Sequence, residues 1–148
     1  MMTSQHLYRL IHDLYLFMNG VEERILATLD LTSAQFRLLS LLDPDEGKSL
    51  NEITTRLFCA RSTAVRLVDS LERARQVYRV VDPDNHRINR VHLTPMGSAA
   101  RQQAIDAIAQ AFDQHVQVLS PDEQAIFTAL FKRVRDHYAN DFEGSQLS

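Results

Sequence analysis

The sequence predicts a mostly α-helical protein with one small β-hairpin in its second half. Through most of the chain, apolar residues recur at three- and four-residue spacing, which is the period of a helix with one buried face. Residues 76–81 and 88–94 instead alternate with a period near two and contain β-branched residues, which is typical of strands. The proline-containing segment 82–85 between them predicts a tight turn.

The composition is that of a folded protein with one domain. The chain has 148 residues, of which 45% are hydrophobic and 24% are charged, and these values are ordinary for a globular chain. No apolar run approaches the roughly 18 residues of a membrane span, and the N-terminus lacks a basic segment followed by an apolar one. Cys59 is the only cysteine, which excludes an internal disulfide. We therefore expect one cytoplasmic domain over residues 1–148, with no membrane contact.

A long first helix is expected at residues 5–28, because its apolar side chains recur on one side. This apolar surface is larger than a chain of this size needs for its own core, so we expect a second copy to cover it. The apolar positions are Leu7, Leu10, Ile11, Leu14, Phe17, Met18 and Val21.

Two shorter helices are expected after the first. Thr32 or Ser33 can cap the first of them, and the turn at residues 43–47 ends it. Ser49 can cap the second, because Glu52 three residues later can accept a hydrogen bond from the Ser49 N–H in return.

The next predicted helix, residues 61–75, has two different faces. At 100° per residue, its apolar residues cluster on one side and its polar residues on the other. One face therefore packs, and the opposite face offers hydroxyls and arginines to solvent. The apolar face holds Ala64, Leu67, Val68 and Leu71, and the polar face holds Ser62, Arg66, Asp69 and Arg73.

Two further helices follow the hairpin. Thr94 can cap the first of them, with Pro95 at its first position, and this helix is expected over residues 96–118. The second begins after Ser120 and extends to about Asn140.

This order of elements predicts a winged helix-turn-helix lobe over residues 32–94. A short helix, a tight connection and an amphipathic helix make a helix-turn-helix, and a hairpin directly after it makes the winged form. Residues 48–94 hold nine Lys or Arg and five Asp or Glu, a net charge of +4, whereas the rest of the chain carries −7. A cationic segment in an acidic chain indicates an anionic partner such as DNA, although chance unevenness is the alternative.

The same residues resemble the MarR (multiple antibiotic resistance regulator) family of bacterial transcription factors over about residues 5–140. The most specific parts are Leu71-Glu72, and Asp82-Pro83 through Leu93-Thr94-Pro95-x-Gly97. The resemblance implies a homodimer that binds palindromic operator DNA and represses genes until a small phenolic or carboxylate ligand, or an oxidant, releases it. It also implies that the terminal helices, residues 5–30 and 96–140, form the dimer interface. Neither the residues nor the resemblance implies a cofactor or a metal ion.

Three positions depart from the family pattern. The wing of the family usually contains Asp-Arg-Arg, where this chain has Asn85-His86-Arg87, so we expect a weaker pairing within the wing. Arg75 replaces a glycine that usually ends the preceding helix, and a left-handed Arg costs on the order of 1 kcal/mol relative to Gly. Gln76 replaces an apolar residue.

Four residues on the helix 61–75 are candidates for the major groove and the adjacent phosphates: Arg61, Ser62, Thr63 and Arg66. Short hydroxyl side chains followed by arginine are what base edges and phosphates require. The alternative is a solvated helix face. Ser49 is a further candidate for a phosphate contact, although capping alone accounts for it.

The hairpin supplies the other candidates for DNA contact. Arg87 is expected to enter the minor groove, where the potential is most negative; the alternative is a salt bridge to Asp82 or Asp84. Arg90, like Arg79, lies on a strand and is expected to contact either phosphate or acidic side chains.

A ligand site is expected between the dimer helices and the DNA-binding lobe. The candidates are His12, Tyr15, Phe36 and Arg37, because aromatic rings and a cation suit a phenolic or carboxylate ligand. The alternative is that these residues only pack.

Two rival functions remain. One is a winged-helix protein–protein interaction module with weak or no DNA binding, which would show no salt-dependent affinity for DNA. The other is a small enzyme, which we do not expect, because the sequence contains no nucleophile–base pair, glycine-rich phosphate loop or set of metal ligands.

His86 predicts a pH dependence of DNA binding. We expect the affinity to rise modestly as the pH falls from about 8 to about 6, because the imidazole then gains a proton that bound phosphate favours. Titration of labelled DNA at each pH measures this, with His86→Ala as the control that lacks the effect. A profile that is flat in both proteins would show that His86 is an exposed turn residue without consequence.

Overall fold

The computed structural model describes residues 3–145. The ends of the predicted domain, residues 1–2 and 146–148, lie outside this range. Within it, the chain forms six α-helices and one three-stranded antiparallel sheet, as the sequence predicts apart from one strand. No helix in this part of the chain is both long and apolar enough to cross a membrane.

The elements follow the predicted order. The helices are α1 (Ser4–Thr28), α2 (Ser33–Leu41), α3 (Leu50–Leu57), α4 (Arg61–Arg73), α5 (Pro95–Val116) and α6 (Pro121–Ser145). The strands are β1 (Lys48–Ser49), β2 (Val77–Val81) and β3 (Asn89–Leu93). The chain divides into two compact units, of which the first ends at Ile108 and the second begins at Ala109.

Side-chain caps fix where the short helices begin. Of the two candidates for α2, Thr32 is the cap: its hydroxyl accepts from the N–H of Gln35, whose side chain accepts from the Thr32 N–H. The same reciprocal pair forms between Ser49 and Glu52 at α3. Thr94 caps α5, because its hydroxyl accepts from the N–H of Gly97 at 2.9 Å. These three predictions are confirmed.

The sheet contains a strand that the sequence analysis did not predict. The expected hairpin forms, with Val77 of β2 opposite Leu93 of β3. The two-residue strand β1 adds to the other side of β3, where Ser49 lies opposite Arg90, and the strand order is β1-β3-β2. A strand of two residues is too short to show an alternating pattern, so its sequence carried no signal.

The core of the first unit joins α1–α5 to the sheet. On α4 the buried residues lie on the predicted apolar face, with Leu67 only partly buried against the core. The opposite, polar face is thereby turned to solvent. The core residues are Leu26, Leu31, Leu38, Leu39, Leu42, Ile53, Ala64, Val68, Leu71, Val77, Val91, Leu93 and Ala104.

Large apolar side chains remain exposed on α1 and, in the second unit, on α6. Every residue from 3 to 18 is exposed in the single chain, and Phe17 is 75% exposed. Exposed apolar surface of this extent is typical of an interface between proteins. On α6 the exposed apolar residues are Ile126, Phe127, Leu130, Phe131, Val134, Tyr138 and Phe142.

The end of α4 differs from the prediction, because the helix stops at Arg73 rather than at residue 75. Arg75 adopts the left-handed conformation, with φ of 58°. Its N–H donates to the Glu72 carbonyl and that of Gln76 donates to the Leu71 carbonyl, both at 2.9 Å. This is the hydrogen-bond pattern of a Schellman motif, which usually has glycine at the left-handed position.

We expect Arg75→Gly to stabilise the protein by about 1 kcal/mol, because glycine adopts the left-handed region without the steric cost of a side chain. Urea unfolding at one fixed protein concentration measures the change. Arg73→Gly is the control, since it places glycine at a helical position and should destabilise by about 1 kcal/mol. Destabilisation by both substitutions would contradict the assigned conformation of Arg75.

Candidate DNA interface

The first two turns of α4 present the polar residues that the sequence analysis singled out. Arg61, Ser62 and Arg66 are exposed, and Thr63 is half-buried. The Arg61 guanidinium donates to the side-chain oxygen of Asn51 on α3 at 2.9 Å, which restricts the direction in which it points. The structure thus brings these four residues to one end of α4, where the positive end of the helix dipole also favours an anion.

The start of α4 lacks a side-chain cap. Ala60 occupies the capping position and has no hydrogen-bonding side chain. Its carbonyl accepts from the N–H groups of Thr63 and Ala64, but the first turn gains nothing from the Ala60 side chain. The helix N-terminus therefore keeps donors that an external acceptor such as a phosphate oxygen can use.

Farther along α4, the acidic residues are paired with the hairpin. Arg79 on β2 contacts Asp69 at 2.6 Å and Glu72 at 2.8 Å. The sequence left open whether Arg79 contacts phosphate or acidic side chains, and in the structure it contacts acidic side chains. The pairing ties β2 to α4 and offsets part of the negative charge of two carboxylates that would otherwise repel a polyanion more strongly.

The wing turn, residues 82–88, is closed mainly by its own backbone and short side chains. Asp82 accepts from the N–H groups of Asp84 and Asn85 at 2.8 and 3.2 Å. Asn85 accepts from the N–H of Arg87 at 3.1 Å, so the amide at this position still orders the turn. The side chains of His86 and Arg87 are exposed.

Arg87 does not form either of the salt bridges considered for it. Asp82 pairs with Arg90 instead, at 2.6 Å. No ion pair of Arg87 occurs with any residue that the structure describes. The exposed guanidinium of Arg87 is therefore available to an external anion.

Arg90 and Ser49 are both held by contacts within the chain. In addition to Asp82, Arg90 donates to the Gly47 carbonyl at 2.9 Å and lies 3.5 Å from a Glu52 carboxylate oxygen. The Ser49 hydroxyl accepts from the Glu52 N–H at 3.2 Å. The structure thus shows the alternative to a phosphate contact for both residues, which is an acidic partner for Arg90 and helix capping for Ser49.

These contacts shift three ionisation equilibria. The hydrogen bond from Arg90, together with the backbone N–H of Asp84, holds the pKa of Asp82 below its ordinary value of 3.8. The same hydrogen bond raises the pKa of Arg90. The backbone N–H of Ser49 lowers the pKa of Glu52 below 4.5. All three groups are held in their charged forms at neutral pH.

A shallow depression of about 290 Å³ lies on the exposed side of α3. Its lining includes two basic residues, Lys48 and Arg56, that were not among the predicted DNA contacts. The signal for Arg56 was its position four residues after Glu52, which places both on one face of α3. Lys48 lies on β1, which the sequence did not predict. The lining residues are Lys48, Asn51, Glu52, Thr55 and Arg56.

Of the four candidate ligand residues, His12 lines a depression of about 630 Å³ formed by residues of α1. The His12 ring stacks on that of Tyr8 at a centroid distance of 5.8 Å. Tyr15 and Arg37 are exposed, and Phe36 packs partly buried against the core. The residues that line the depression with His12 are Ser4, Gln5, Tyr8, Arg9 and Asp13.

The fold and this surface define a winged helix-turn-helix protein of the DNA-binding type. A sequence model described as the MarR family matches residues 29–88. The uncharacterized HTH-type transcriptional regulator YsmB of Bacillus subtilis is 29% identical over 103 residues, which cover 70% of each chain. The predicted resemblance of this chain to the MarR family of transcription regulators is therefore confirmed.

Solved structures agree with this assignment. Wild-type MarR from E. coli in its apo form superposes with a TM-score of 0.79 at 29% identity, over 86% of this chain and 95% of the other. A mutant of the same protein, complexed with operator DNA, superposes with a TM-score of 0.70 at 29% identity, over 86% and 92% of the two chains.

The ion pairs at the base of the wing predict acid sensitivity. Asp82 and Glu52 have lowered pKa values in the folded state, so the stability they contribute is complete above their ordinary values of 3.8 and 4.5. It is lost as the pH falls through the lower folded-state values, because the unfolded chain then binds more protons. We expect Asp82→Asn to be less stable than the wild type near pH 6 and to lose less on acidification to about pH 3.5. Thermal unfolding at both pH values measures this.

Asp84→Asn is the control for the change in net charge, because it leaves the Asp82–Arg90 pair in place. An equal loss of stability on acidification in Asp82→Asn and the wild type would contradict the assigned role of the pair.

Proposed function

We propose that this protein is a sequence-specific DNA-binding transcription regulator that acts as a homodimeric, ligand-responsive repressor. One observation carries the proposal: the polar face of α4 is exposed, with Arg66 on it and Arg61 oriented at its start by Asn51. Arginine at such positions hydrogen-bonds guanine edges or phosphates in the major groove. The E. coli MarR structure with operator DNA supports the same use of this fold.

Each lobe contacts DNA through two elements in this proposal. Helix α4 enters the major groove with Arg61, Ser62, Thr63 and Arg66, and the wing places Arg87 and His86 at the neighbouring minor groove. Ser49 and Arg90 are part of the same proposed surface. Because both side chains are held by bonds within the chain, their proposed role is to support the part of the interface that faces the phosphate backbone.

The dimer is proposed to form through the helices outside the DNA-binding lobe of residues 32–94. Residues 5–30 and 96–140 supply large apolar side chains that the single chain leaves exposed on α1 and α6, and their burial favours association. Two identical lobes related by a two-fold axis then bind a palindrome with half-sites about 10 base pairs apart.

Repression would end when a small phenolic or carboxylate ligand favours a dimer whose two α4 helices are wrongly spaced for the operator. His12, Tyr15, Phe36 and Arg37 are the proposed ligand residues. They lie on α1, in the proposed dimer region, and on α2, in the DNA-binding lobe. The mechanism couples these two regions. The site of action is the cytoplasm, where the DNA is.

Selection of bound fragments from a genomic library at moderate salt tests the proposal. A shared palindrome with half-sites about one helical turn apart is the expected result. No enrichment from a folded dimer, repeated after refolding from denaturant to strip bound ligand, would favour the protein–protein module instead. Induction is tested on the enriched fragment, since a phenolic or carboxylate compound should release it.

Two arginines should differ in what they contribute. We expect Arg66→Ala to weaken binding about tenfold or more and to relax the preference at one base pair, because base-edge contacts carry sequence information. Arg87→Ala should weaken binding to all sequences and lower the slope of log K against log salt by about 1. Arg135→Ala, an exposed position on α6 outside the DNA-binding lobe, is the control; because residue 135 lies within the proposed dimer region, the dimerisation of this variant is measured first. Unchanged affinity in both α4 and wing variants of a folded dimer would exclude this DNA-binding surface.

A further inference from the structure

We propose that Arg90 is a positioning residue, which fixes the wing against α3 so that Arg87 reaches DNA. The inference rests on the proposed function and adds a specific role for Arg90. It depends on which parts of the fold this single guanidinium joins.

Three elements meet at Arg90. Its Nε donates to Asp82 at the start of the wing turn at 2.6 Å, and its Nη1 donates to the carbonyl of Gly47, just before β1, at 2.9 Å. The same Nη1 lies 3.5 Å from Glu52 in the first turn of α3. A planar guanidinium with contacts in several directions resists rotation more than a single ion pair does.

Asp82 couples this anchor to the shape of the wing. Its side chain is 8% exposed, and one of its oxygens accepts from the N–H groups of Asp84 and Asn85 while the other accepts from Arg90. Removing Arg90 leaves a buried carboxylate without its cation, and such a group moves towards water or takes up a proton. Either response disturbs the turn that carries His86 and Arg87.

Little else connects the wing turn to α3. Backbone hydrogen bonds close the turn on itself, from the Asp82 N–H to the Ile88 carbonyl at 2.8 Å and from the Ile88 N–H to the Asn85 carbonyl at 2.9 Å. Among the residues that the structure describes, the Asn85 side chain bonds only to the Arg87 N–H within the same turn. Among the described residues, the Asp82–Arg90 contact is the only salt bridge in which residues 82–88 take part. Arg79, the other paired arginine of the hairpin, joins β2 to α4 instead.

A double-substitution cycle on the selected operator fragment separates positioning from contact. We expect Arg90→Met and Arg87→Ala each to weaken binding about tenfold. If Arg90 acts through the wing, the double variant should lose little more than either single one, because the wing contact is already absent. If Arg90 contacts phosphate itself, the losses multiply to about 100-fold and the salt slope falls by a further 1 or so, which would overturn the proposal.

Two further variants keep the test decisive. Asp82→Asn retains an acceptor for the turn and should reproduce the coupling to Arg87→Ala even if Arg90→Met folds poorly. Arg79→Met removes an arginine that also has an ion pair of 2.6 Å but no link to the wing turn, so the fold-losses in affinity caused by Arg79→Met and Arg87→Ala should multiply. Coupling of Arg79→Met to Arg87→Ala as strong as that of Arg90→Met would overturn the assignment.

A measurement without DNA separates this inference from the proposed function. We expect the amide hydrogens of Asp84 and Asn85 to exchange about tenfold faster in Arg90→Met and not in Arg79→Met, because opening of the turn exposes them. Unchanged exchange overturns the positioning role. Absence of DNA binding by the unsubstituted protein overturns the proposed function, and the exchange rates then still decide whether Arg90 fixes the wing.

Discussion

Burial of one face of α4 is the constraint on which the proposed DNA-binding surface depends. Ala64, Val68 and Leu71 are enclosed by the core of the first unit, and each contributes apolar burial that favours this orientation. Because a helix repeats every 3.6 residues, fixing these three side chains also fixes the direction of Ser62 and Arg66 on the opposite side. The core therefore orients Ser62 and Arg66 of the proposed recognition surface, although both are exposed and only Thr63 of that surface is half-buried.

The arginines of the lobe divide into two groups by what they contact. Arg79 and Arg90 donate to carboxylates and a carbonyl within the chain. Arg79 connects the hairpin to α4, and Arg90 connects it to α3. Arg66 and Arg87 are exposed, and no salt bridge of either occurs within the described part of the chain. The count of nine Lys or Arg in the segment 48–94 therefore overstates the number of basic side chains available to a partner.

Features set by neighbouring residues could be predicted, and features set by distant ones could not. The caps at Ser49 and Thr94 join groups three residues apart, and the amphipathic α4 follows from its own periodicity. By contrast, the bond from Arg90 to Gly47 spans 43 residues, so its partner depends on how β1 adds to β3. How the candidate ligand residues on α1 and α2 lie relative to one another could not be predicted for the same reason, since periodicity places side chains on a helix face but does not bring two helices together.

The junction between α4 and α5 has a mechanical consequence. The Thr94 hydroxyl donates to the Arg75 carbonyl at 2.7 Å and the Thr94 N–H donates to the Gln76 carbonyl at 3.0 Å. A Cβ atom at Gly97 would collide with that same Gln76 carbonyl, so the first turn of α5 lies directly against the segment that follows α4. Close-packed groups of this kind leave little room for relative movement. We therefore expect a displacement of the beginning of α5 to move residues 75–76, and with them the end of α4.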